Sequence, residues 1–186
     1  MNDRTAEMHV TPEQVIAFWR DAGPARWFQK DEEFDRRFRE RFLIAHEAAA
    51  RGELAGWQGS AEGMLALLIL LDQFPRNAFR GTPRMFATDT LALDLAHRAV
   101  AAGFDLDVEP GLRAFMYLPM EHAESLPEQE RAVELTRPPD AETYRWAVIH
   151  RDIIARFGRF PHRNALLGRT STAEEQRFLD EGGFAG

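Results

Sequence analysis

Apolar residues recur along the chain at helical spacing and nowhere alternate over the length of a strand. Thr11-Pro12-Glu13-Gln14 reads as a capping box with proline at the first helical position. The helix it opens carries Val15, Ile16, Phe18 and Trp19 and closes near Gly23-Pro24. Phe34, Phe38 and Phe42 form one apolar stripe on a second helix that starts near Asp31. Ser60 caps a third helix, Ala61 to Gln73, apolar nearly all round and so predicted to be the buried centre. A fourth runs from Thr88 or Asp89 to Gly103. A fifth, Leu112 to Glu124, contains Pro119, which predicts a kink or break near Tyr117-Leu118. Ser125 to Glu128 and Thr172 to Glu175 are two more capping boxes, and Asp140 caps a long helix reaching Gly158. The pattern predicts an all-α fold of seven to eight helices packed as antiparallel pairs. It predicts one domain over residues 1–186, with flexible tails at 1–10 and 181–186.

Composition narrows the functional classes. Of the 186 residues 45% are hydrophobic, too many for a disordered chain. There is no Cys, which removes disulfides, thiolate nucleophiles and Cys-ligated zinc. The polar N-terminus lacks a signal-peptide core, and the longest apolar run, Met64 to Leu71, is far too short to cross a bilayer. The expectation is a cytoplasmic protein without a membrane partner. A net charge of −7 argues against a nucleic-acid partner.

The charge is unevenly placed. From Arg145 to Arg169 there are six Arg and one acid, and from Gln73 to Thr88 three Arg and no acid. Each basic stretch carries the same motif at a helix end: Asp72-Gln-Phe-Pro-Arg76-Asn77, and Gly158-Arg159-Phe160-Pro161-His162-Arg163-Asn164. The residue before proline is driven out of the helical region, so both helices are expected to stop at the Phe. Arg and Asn would then project from the helix end. A guanidinium binds two carboxylate or phosphate oxygens at once, which makes these loops candidate anion ligands. Arg and Asn at a helix end also serve simply to cap it. Glu121-His122-Ala123-Glu124 follows the proline break and offers acid–base groups, as does His162. His150 lies on the long helix beside Ile149, as a core or surface histidine. No two histidines have metal-ligand spacing, and no nucleotide or hydrolase motif is present, so no metal and no cofactor are expected.

Three segments, taken with Val15 to Trp19 and Trp27-Phe28, resemble the bacterial family called domain of unknown function 924. They are Leu71 to Asn77, Phe115 to His122, and Phe157 to Asn164 followed by Leu167-Gly168-Arg169. The resemblance runs from about Thr11 to Leu179. It departs at Ala123, where the family pattern has Ser, which weakens any role for a hydroxyl there. It implies a tetratricopeptide-repeat-like α–α superhelix and no established activity.

Two readings compete. The leading one is a small anionic ligand, carboxylate or phosphate, in a pocket formed by the two loops. Its residues are Asp72, Arg76, Asn77, His122, Glu124, Arg159, His162, Arg163 and Asn164. The other is a protein- or peptide-interaction module whose loop motifs are purely structural. Both an enzyme and a binder remain open at this point.

Overall fold

The computed structural model describes residues 10–137 and 141–184. The expected Asp140 cap, most of the 1–10 tail and the end of the 181–186 tail lie outside them. The described residues hold eleven α-helices and no β-strand. The all-α expectation holds, and the expected count of seven to eight is corrected upward. Of the expected helix Leu112 to Glu124 only α8 (Leu118–Glu121) is α-helical, because Pro110–Met116 winds as a 3-10 turn. The additional helices are α2 (Pro24–Trp27), α5 (Phe74–Ala78) and α7 (Phe104–Asp107). Each is one turn or little more, too short to leave a periodic signal in the sequence. No helix among the described residues is long and apolar enough to cross a membrane.

The chain divides into two compact units, residues 1–80 with 84–119, and 81–83 with 120–186. In the first, the Thr11 capping box forms as predicted on α1 (Pro12–Ala22), and Asp31 caps α3 (Glu32–Ala50). Phe18 of α1 lies 5.2 Å from the rings of Phe38 and Phe42 on α3, locking the two aromatic stripes together. Ser60 caps α4 (Ala61–Leu68), and Met64 to Leu71 are buried without interruption. Gly63 is fixed by packing, because a Cβ there would overlap the Trp57 carbonyl.

The third helix does not stop at Phe74. A π-turn over Ile69–Gln73 leads directly into α5, and Phe74 itself is helical at φ −54° and ψ −48°. The π-turn resolves the conflict between Pro75 and a continuing helix. The carbonyls it releases are taken by side chains. His46 Nδ1 lies 2.8 Å from the Leu70 carbonyl, the Thr88 hydroxyl donates to Leu71 at 2.5 Å, and Arg76 donates to Asp72 at 2.8 Å. Thr88 therefore serves this turn, and makes no side-chain cap on α6 (Asp89–Ala101).

In the second unit, α9 (Leu126–Thr136) packs on α10 (Ala141–Phe157), and α11 (Ala173–Asp180) packs on the turn at Pro161–Arg163. The expected Ser125 cap makes no side-chain hydrogen bond. Instead the Gln129 amide, fully buried, donates to the carbonyls of Glu121 and Ala123 at 2.6 and 2.8 Å. The break at Tyr117 stands where Pro119 predicts it, between a 3-10 turn over Pro110–Met116 and α8.

Candidate functional site

The two Phe-Pro motifs fold differently and belong to different units. Phe74 is helical, whereas Phe160 is extended at φ −87° and ψ 109°, after α10 has closed at Gly158 with φ +71°. Both rings are fully buried, as a plug into each core requires.

The first motif bonds inward. Arg76 meets Asp89 through two bonds of 2.8 and 3.0 Å, and Asp72 at 3.1 Å. Burial works against its charge, yet Asp72 and Asp89 outweigh it and raise its pKa above the ordinary arginine value. Asp72 is 1% exposed and also accepts from Gln73. Asn77 donates to Asp35 of α3 at 2.7 Å. These three side chains tie α5 to α3 and α6.

Part of the second motif does the same. Arg159 grips Glu175 at 2.6 and 2.8 Å and the Thr170 carbonyl at 2.9 Å. Glu175 completes the Thr172 capping box and also accepts from Asn164. The Arg159 bonds push its carboxyl down to about 2. Arg169 grips Glu124 at 2.6 and 2.9 Å, and Glu124 accepts the Phe160 amide at 2.8 Å. Burial opposes the Glu124 charge, but Arg169 and that amide keep its pKa below the ordinary carboxylate value. Arg169 also donates to the Asn164 side chain, so one polar network runs from Glu124 to Thr172.

The remaining candidates gather around the Phe160 ring. The Arg163 guanidinium lies 4.6 Å from its centroid and donates to the His122 carbonyl at 3.0 Å. The His162 and His150 rings each lie 5.6 Å from it, and His122 lies 6.4 Å from His150. Glu121, 1% exposed, approaches His150 Nδ1 at 3.7 Å. His162 Nδ1 is buried without a hydrogen-bond partner among the described residues. Burial, with Arg163 and His150 beside it, pushes the His162 imidazole down to about 3, so it is neutral at ordinary pH. No group of three or more His, Asp or Glu among the described residues is placed to hold a metal ion.

The family model for bacterial proteins of unknown function, DUF924, matches residues 15–183. The chain belongs to this family. A solved protein of unknown function from Agrobacterium tumefaciens is 51% identical, over 92% of this chain and 97% of that one, with a TM-score of 0.90. No curated protein matches the chain.

In this DUF924 chain the cluster includes residues the sequence did not single out. Phe184, inside the stretch read as a tail, lies 4.7 Å from His150 and 5.2 Å from His162. Its only sequence signal is Gly182-Gly183, a pair that stops a helix. Gly183 has no room for a Cβ against Phe178, and its amide donates to the Phe178 carbonyl at 2.8 Å. Glu121 and His150 were visible as ionisable groups. Their meeting depends on α8 reaching α10, which no spacing along the chain encodes.

Proposed function

We propose that the protein binds a small anion, carboxylate or phosphate, at His122, His162 and Arg163. The observation that carries this reading is the buried, unpartnered His162 Nδ1 beside the Arg163 guanidinium. A neutral imidazole can donate one N–H, and the guanidinium supplies charge and a fork of donors. Burial is the main cause that depresses His162, and the Arg163 charge beside it, which adds to that, is what an anion would neutralise. Glu124, Arg159 and Asn164 then stiffen the second unit around the ligand, while Asp72, Arg76 and Asn77 stiffen the first, each with its polar atoms turned to internal partners.

The test is a titration with inorganic phosphate and with acetate, read by the imidazole resonances and by Tm. The expected outcome is millimolar binding that shifts His122 and His162 and raises Tm. His162→Gln and Arg163→Lys each weaken it at least tenfold while circular dichroism stays unchanged. If neither anion moves the resonances, the reading is wrong.

We also infer that the helices follow a tetratricopeptide-repeat-like α–α superhelix within one domain and that the protein works in the cytoplasm. Support for the superhelix comes from the packing of α9 on α10 and of α1 on α4.

A further inference from the structure

A groove of about 270 Å³ lies along α10 and α11, lined by Ile149, Ile153, Phe157, Phe178 and Phe184. Its lining is almost wholly apolar. The charged side chains at it are Asp152 and Arg156, and Arg156 is paired with Glu174 at 2.9 Å. Ile149, Phe157, Phe178 and Phe184 are only partly buried, so the groove wall keeps apolar surface that a guest would cover.

The groove and the polar cluster share one side chain. Phe184 lines the groove, and the same ring lies 4.7 and 5.2 Å from His150 and His162. Its position is held by the close pass of Gly183 over Phe178. A molecule with its charged end at His162 thus lies beside the Phe184 ring that walls the groove.

We propose that the anion carries an apolar tail, an acyl chain or single aryl group, seated in this groove. This rests on the anion site proposed above and names its ligand class, an amphiphilic carboxylate or phosphate. The size supports a small guest, since drug-sized sites span roughly 300–1,000 Å³. Chemistry supports an apolar tail, because both charged groups at the groove are already paired, Asp152 with Arg151 at 2.6 Å and Arg156 with Glu174.

Calorimetric titration at pH 7 with acetate, butyrate, hexanoate, octanoate and octanol tests it. Each buried methylene is expected to tighten binding roughly fourfold until the groove is full. Octanoate then exceeds acetate by far more than tenfold, and octanol binds weakly. The Ile149→Ser and Phe178→Ser variants reduce octanoate toward acetate and leave acetate unchanged. The ligand series on the unmodified protein stands by itself if a variant fails to fold. Equal binding of acetate and octanoate overturns the tail and leaves the anion site intact. Octanol binding as well as octanoate, with no acetate binding, overturns the anion site and this inference with it.

Discussion

Arg76 shows how a residue legible as an anion ligand can be spent inside the fold. Its forked contact with Asp89 and its bond to Asp72 leave the guanidinium turned inward. Arg76→Ala is expected to destabilise the protein by about 3–5 kcal/mol in urea unfolding, because Asp72 would remain buried with its charge uncompensated. His162 carries the opposite signature, a buried imidazole kept neutral. Its folded pKa of about 3 lies below the ordinary histidine value of 6.5. The unfolded chain therefore takes up a proton that the native state refuses. The stability this confers is fully present above about pH 6.5 and is lost as pH falls toward 3. His162→Gln should flatten the pH dependence in that window, measured as urea midpoints from pH 7 to pH 4. An unchanged profile would show that His162 titrates freely. The types and positions of these residues were readable in the sequence. Their partners, up to 45 positions away for Glu124 and Arg169, were not.

At the scale of elements, the π-turn before Pro75 is the instructive case. The rule that a residue before proline leaves the helical region holds for Phe160 and fails for Phe74. The difference is tertiary: His46, Thr88 and Arg76 bring polar groups to the carbonyls that the turn releases. Thr88→Val should cost about 1–3 kcal/mol by leaving the Leu71 carbonyl buried without its donor. Thr88→Ser should restore most of that, with thermal unfolding as the measurement. Gly63→Ala tests the neighbouring element. The added methyl meets the Trp57 carbonyl, and a loss of about 1–3 kcal/mol is expected. Long helices were legible because caps and apolar stripes are local signals. One-turn helices such as α2 and α7 were not, since four residues carry no period.

For the whole molecule, the acid limb of stability should follow the carboxylates that arginines hold ionised. Glu175 has its folded pKa near 2 through Arg159, below the ordinary 4.5. Its contribution is present above about pH 4.5 and is lost as pH falls through 2, so Glu175→Gln should flatten that limb of an acid titration. The single-domain expectation predicts one calorimetric transition whose van't Hoff and calorimetric enthalpies agree. Two separate transitions would make the two compact units separate domains. The amino-acid order alone determined the all-helical class, the long helices and the burial of Met64 to Leu71, because hydrophobic period and end caps act between residues a turn apart. Only the tertiary structure decided which arginines spend their charge on internal carboxylates and which histidines meet around Phe160. Such pairings join residues tens of positions apart, and what selects them is the packing of helices, which no local pattern records.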